Sequence, residues 1–263
     1  MTLRVLLFPG FTQNATVFHQ KFAAIERTCA HSVEFVFLDP FHVMEPVTLQ
    51  GESLSQISSN ASYENDSPEL RPRAWWFAND DKTVYRGHAE AFQYVRDFLA
   101  KTEVPFHGVL GFSQGAAMAA LITVFLERPD VFPSFLVDGK SPHPPLRFGV
   151  FVSGFVRPLD ISLSSVFSTG VKFSTPSLHV LGRNDVIVST ARSKTLIDVF
   201  ESPRIEWHDG GHFVPSKATW RQFFKNYFAS YDDESSVRPP DVRSPAPEVG
   251  NSSVEAPGAT RNL

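Results

Sequence analysis

Cysteine is almost missing from this chain, with Cys29 the only one in 263 residues. A single thiol excludes an internal disulfide and any metal site built on several thiolates. In its helix-like stretch it reads as a small buried hydrophobe. Long apolar runs are missing too. A membrane span needs roughly 20 consecutive apolar residues, whereas the early run Val5 to Phe8 stops at Pro9-Gly10. That run is too brief for a secretory signal core and has no small-residue cleavage site, so it reads as a first strand. Nor is there an excess of positive charge. The formal net charge of −4 offers no basic surface for nucleic acid or an anionic membrane. A cytosolic or nuclear location is the expectation that follows.

What is present fits a globular α/β protein. The chain is 42% hydrophobic and 20% charged, and its length holds one large domain. Its 25 phenylalanines suit a Phe-packed core, an apolar acyl pocket, or both. Six apolar runs read as buried strands: Leu3–Phe8, Val33–Leu38, Gly108–Phe112, Phe148–Val152, Leu178–Leu181 and Ile205–His208. Helical patterns fall at Phe18–Thr28, His88–Lys101, Gln114–Glu127, Thr190–Phe200 and Lys217–Ser230. This alternation predicts a mostly parallel sheet of about six strands flanked by helices, with ligands at the rim where the strands end. The domain is expected to span 1–230. Within it, 43–73 is a polar insertion near the active site, ending on Arg73-Ala74-Trp75-Trp76-Phe77. Residues 231–263 lack periodicity and are expected to form a disordered tail.

The most specific local signal is Gly111-Phe112-Ser113-Gln114-Gly115, between an apolar strand and an Ala-rich helix. This is a nucleophile elbow, in which a tight strand-to-helix turn lifts the serine hydroxyl clear of the sheet. A plain Gly-rich turn is the bland alternative. A serine hydroxyl needs a base, and the base needs an orienting acid. His212 lies in a Gly-rich loop after the last predicted strand, whereas His179 sits inside a strand and His208 one loop too early. Asp185 lies in the loop one strand earlier. It could equally cap the following helix through an Asx turn, and Asp209 competes by closeness to His212. An oxyanion hole would draw on the backbone amides of Gln114 and of Phe11, in the loop after the first strand. Trp75, Trp76, Phe77 and Phe112 are candidates for the wall of an apolar substrate groove, though core packing explains the tryptophans nearly as well.

Beyond the elbow, the segments Pro9-Gly10-Phe11-Thr12-Gln13-Asn14, Arg73–Phe77, Pro105–Ala117, Val152-Ser153-Gly154-Phe155 and Gly210–Pro215 together resemble the FSH family of serine hydrolases. The resemblance spans roughly residues 3–230. It implies an α/β-hydrolase fold, a triad at Ser113, Asp185 and His212, no metal or cofactor, and small-molecule carboxylic esters with long alkyl or acyl chains. It also implies thioesters as an alternative, since wider members include thioesterases. One departure is Pro9, where many members carry histidine. A third reading, from another class, is a ligand-binding protein that keeps the fold without turnover.

Overall fold

The computed structural model describes residues 2–44, 70–79, 84–156, 170–231 and 241–245. Most of the expected insertion (45–69) and most of the expected tail lie outside the described residues.

Six strands form the central sheet: β1 (Leu3–Phe8), β2 (Val33–Phe37), β7 (Gly108–Phe112), β8 (Phe148–Val152), β9 (Ser177–Gly182) and β10 (Pro203–His208). Their order is β10-β9-β8-β7-β1-β2, and every neighbouring pair is parallel. The central strands β7, β8 and β9 are buried along their whole length, which is why they read as continuous apolar runs rather than alternating ones. The edge strand β10 is only partly covered.

Helices cover both faces. Leu3, Val5 and Leu7 of β1 pack with α1 (Ala15–Cys29) and α5 (Ala218–Ala229), while Leu6 and Phe8 turn to the opposite side. There they meet α2 (His88–Ala100), α3 (Gln114–Glu127) and α4 (Thr190–Ile197). The period-2 alternation of a strand makes this split. α3 is buried from Gln114 to Leu126, so it is apolar all round rather than amphipathic. Cys29 is a fully buried free thiol at the end of α1, and burial pushes its pKa up to about 12. No helix among the described residues is long and apolar enough to cross a membrane.

β1 is hydrogen-bonded to β2 on one side and β7 on the other, so the chain reverses direction across the sheet at β1. The connection leaving β1 packs on one face and that leaving β7 on the other. The crevice between such diverging connections is where ligands collect in open parallel sheets.

The sequence pattern does not predict two small antiparallel pairs, β3 (His42–Val43) with β4 (Arg73–Ala74) and β5 (Phe77–Ala78) with β6 (Tyr85–Arg86). Two-residue strands are too short to carry a periodicity. The first pair closes the base of the insertion, and Thr12 N–H donates to Arg73 O at 2.9 Å, which sets that base against the loop after β1.

Parts of the stretch expected to be a tail have defined surroundings. Tyr231 is fully buried, and Val242 packs on the core between the sheet and α5. The Arg204 guanidinium donates to Val242 O, and Ser244 Oγ donates to Glu206 Oε2 at 2.5 Å. These contacts cover the α5 side of β10. Val242→Asp removes the apolar contact and sets a carboxylate near Glu206. It is expected to cost about 1–2 kcal/mol, read as a fall in Tm of roughly 2–8 °C in thermal unfolding.

Three histidines other than His212 are held toward the neutral form by burial: His143, His179 and His208. His179, between Phe151 and Phe200, is pushed from 6.5 down to about 3. The unfolded chain therefore binds a proton that the folded chain refuses throughout that interval. Stability present above pH 6.5 is lost as the pH falls toward about 3. His179→Gln, which keeps a hydrogen-bonding partner for Ser177, is expected to flatten the fall of Tm across this window.

Candidate active site

The three catalytic candidates come from three separate connections. Ser113 stands between β7 and α3 with φ 53° and ψ −117°, a conformation costly for a residue with a Cβ. Its N–H donates to Val152 O at 2.9 Å, and helix amides donate back to its carbonyl. The flanking glycines are required sterically. A Cβ on Gly111 would lie 2.3 Å from Gly115 O, and one on Gly115 would lie 2.1 Å from Phe8 O. The elbow thus folds onto itself and onto the end of β1 at distances no side chain permits.

Asp185 and His212 lie on the loops after β9 and β10, and these loops are stitched together. Arg183 N–H donates to His208 O at 2.8 Å, Asn184 N–H to Gly210 O at 3.1 Å, and Asn184 Nδ2 to Asp209 O at 2.7 Å. His212 Nε2 is 2.9 Å from Ser113 Oγ, and His212 Nδ1 is 2.8 Å from Asp185 Oδ2. The Asp185 side chain is 3% exposed and that of His212 14%. Solvent therefore screens the contact weakly.

Asp185 uses its oxygens separately. Oδ2 faces the imidazole, while Oδ1 accepts the amides of Ile187 (2.9 Å) and Val188 (2.8 Å). The Asx-turn reading and the acid reading are both satisfied by one side chain. Burial pushes the carboxyl pKa up, but the His212 hydrogen bond, the Val188 amide and the imidazole's field together hold it below its ordinary value. The rival carboxylate, Asp209, is 82% exposed and faces Arg183 at 3.3 Å.

The remaining sequence candidates divide. Phe112 is 4.8 Å from the His212 ring, centroid to centroid, and lies under Gly10, so it walls the space beside the triad. The amides of Phe11 and Gln114 have no acceptor among the described residues. Trp75 departs from the expected groove role. It has no exposed surface, packs on Phe8 at 5.3 Å and donates its indole N–H to Pro9 O at 2.9 Å. Trp76 is also buried in the core, and half-buried Phe77 packs on His42. The physical reason is that β4 and β5 carry this aromatic run under the loop after β1 instead of over the crevice.

Sequence reasoning missed three features. Ser153, directly after β8 with φ 48°, has a buried hydroxyl that adds to the stabilisation of the Asp185 carboxylate. Its signal was a Ser-Gly pair directly after a buried strand. Val186 and Phe213 are 88% and 50% exposed, apolar, and adjacent in sequence to Asp185 and His212. The Gln114 side chain also makes two buried hydrogen bonds to the 75–76 backbone.

A six-stranded parallel sheet wrapped by helices, with a serine on a strained turn after a central strand, defines the α/β-hydrolases. Residues 1–224 match the family model described as "Serine hydrolase (FSH1)", and the chain belongs to this family of enzymes. It is 33% identical to Esterase OVCA2 of Bos taurus, over 88% of this chain and 97% of that protein. It is 35% identical to Esterase OVCA2 of Mus musculus, with the same coverage of each. Among solved structures, Zea mays acyl-protein thioesterase 2 shares the fold, with a TM-score of 0.53, 16% identity and coverage of 87% of this chain and 93% of that one.

Proposed function

We propose that this serine hydrolase cleaves carboxylic esters with medium- to long-chain acyl or alkyl groups through an acyl-enzyme on Ser113. The observation that carries the reading is the continuous contact from Ser113 Oγ through His212 to Asp185, at 2.9 and 2.8 Å. His212 Nε2 takes the hydroxyl proton as Oγ attacks the ester carbonyl. The new oxyanion is held by the amides of Phe11 and Gln114, the second of these at the N-terminus of α3. Collapse breaks the bond to the alcohol oxygen, which takes the proton from His212. Water then attacks the acyl-enzyme, gives its proton to His212 and releases the acid as Ser113 regains its hydrogen. Asp185 keeps the imidazole in the tautomer that can accept at Nε2 and stabilises the imidazolium. Phe112, against the His212 ring, gives the space beside the triad an apolar wall suited to a hydrocarbon chain, and the exposed apolar Val186 and Phe213 follow Asp185 and His212 in the chain.

The relatives named as esterases support oxygen esters. A single buried thiol is compatible with the reducing cytosol or nucleus where we place the activity. Labelling with a fluorophosphonate probe tests the proposal, and peptide mass analysis is expected to find one adduct, on Ser113. Intact folded protein that takes up no probe would leave a binding module as the reading. Matched oxygen esters and thioesters of graded length assign the leaving group. Faster turnover of the oxygen esters, rising with chain length, is the expected result.

A further inference from the structure

We infer that Trp75 and the Gln114 side chain are positioning residues that fix the direction of the Phe11 amide. On this inference, both proposed oxyanion donors are aligned by one connected set of buried hydrogen bonds. The inference rests on the triad reading above and adds a specific device to it.

The loop after β1 is clamped one peptide unit at a time. In the unit joining Pro9 to Gly10, Pro9 O accepts the Trp75 indole N–H at 2.9 Å, and Gly10 N–H donates to Gln13 Oε1 at 2.9 Å. Both polar groups of that plane are tied, on opposite sides. In the next unit, Gly10 O accepts Gln13 N–H at 3.1 Å. A trans peptide points its C=O and N–H in opposite directions. Holding Gly10 O against Gln13 therefore turns the Phe11 N–H away from the loop interior. Thr12 follows with φ 67°, an uncommon conformation kept in place by its own N–H bond to Arg73 O.

Trp75 is held in turn by the residue after the nucleophile. Gln114 Oε1 accepts Trp75 N–H at 2.9 Å, and Gln114 Nε2 donates to Trp76 O at 2.9 Å. Gln114 thus offers its backbone amide as one donor while its side chain anchors the tryptophan that steadies the loop bearing the other. The close approach of Gly115 to the Phe8 and Pro9 carbonyls shows that elbow and loop are in direct contact. Gln13, Gln114 and Trp75 are all buried, so water cannot substitute for a lost partner easily. Preorganised donors act by avoiding reorganisation as charge develops, which makes their rigidity part of the catalysis.

Trp75→Phe keeps a ring against Phe8 but removes the indole N–H, freeing Pro9 O. Gln114→Met keeps the length of the side chain but loses both of its hydrogen bonds. Each variant is to be assayed on a chromogenic ester, with the fraction of competent sites titrated by fluorophosphonate. The expected result is a fall in kcat per titrated site of about 10- to 100-fold, with KM within about 2-fold. Affinity for an alkylboronic acid, whose tetrahedral adduct carries the oxyanion, should fall in proportion to kcat/KM. A variant that only loses stability would titrate fewer sites while each remaining site kept its kcat and boronate affinity. That outcome in whichever variant folds would overturn the inference. If Ser113→Ala instead retained turnover, the triad reading itself would fail, which separates the two failures.

Discussion

Ser113→Ala is expected to lower kcat for a short chromogenic ester by about 10⁶-fold, leaving the residual rate that binding and the oxyanion donors supply on their own. The size of the effect follows from the nucleophile's position. Ser113 Oγ is the atom that would carry the acyl group, and among the described residues it is the hydroxyl that pairs with His212 Nε2, at 2.9 Å. His212→Ala should cost a similar amount, and the double variant should be hardly worse than either single one, because the two side chains act as a unit. Additive losses in the double variant would show that they work independently. Tm should barely move in Ser113→Ala, since the residue keeps its backbone bonds to Val152 and α3. Ser113→Ala also relieves no strain by shape, because alanine carries the same Cβ at φ 53°. Steady-state rates and thermal unfolding on the same preparation separate chemistry from folding.

Asp185→Asn is expected to lower kcat by about 10⁴-fold with little change in KM. An amide facing His212 Nδ1 can donate to it, which favours the imidazole tautomer carrying its proton on the wrong nitrogen. Position Oδ1 keeps its role in this variant if the amide oxygen still accepts from Ile187 and Val188, so the loop stays folded. The pH behaviour has a definite sign. The Asp185 carboxyl is held below its ordinary value, so it remains ionised as the medium becomes mildly acidic, and its stabilising contacts are lost only when the pH falls through that lowered value. Asp185 should therefore add no carboxyl ionisation of its own between about pH 5 and 8, which infrared difference spectra of the wild type against Asp185→Asn check in the carboxyl stretch region. A protonating carboxyl band in that range, present in the wild type and missing in the variant, would contradict the account.

The frame of the fold was legible because the central strands are buried on both faces. β1, β7 and β8 begin and end where the apolar runs do. The edge strands were less so. β10 starts at Pro203, two residues before its apolar signal, because an edge strand tolerates proline and charge. The triad candidates were legible through loop position, as topology brings the loops after β7, β9 and β10 to one rim. The choice of Asp185 over Asp209 needed coordinates in addition, since only the stitched loops show which carboxylate turns inward. The aromatic run at 75–77 was read for its chemistry, while its placement depended on two-residue pairings invisible to periodicity. Long-range side-chain bonds such as Gln114 to Trp75, 39 residues apart, leave no mark in a local pattern.

The burial of Cys29 makes the molecule a convenient chassis for site-directed probes. Any cysteine introduced on the surface would be the one thiol open to a maleimide dye, with no background mutation needed first. Attached at Val186, which is 88% exposed and follows Asp185 in the chain, such a dye would report changes in the acid loop through its emission.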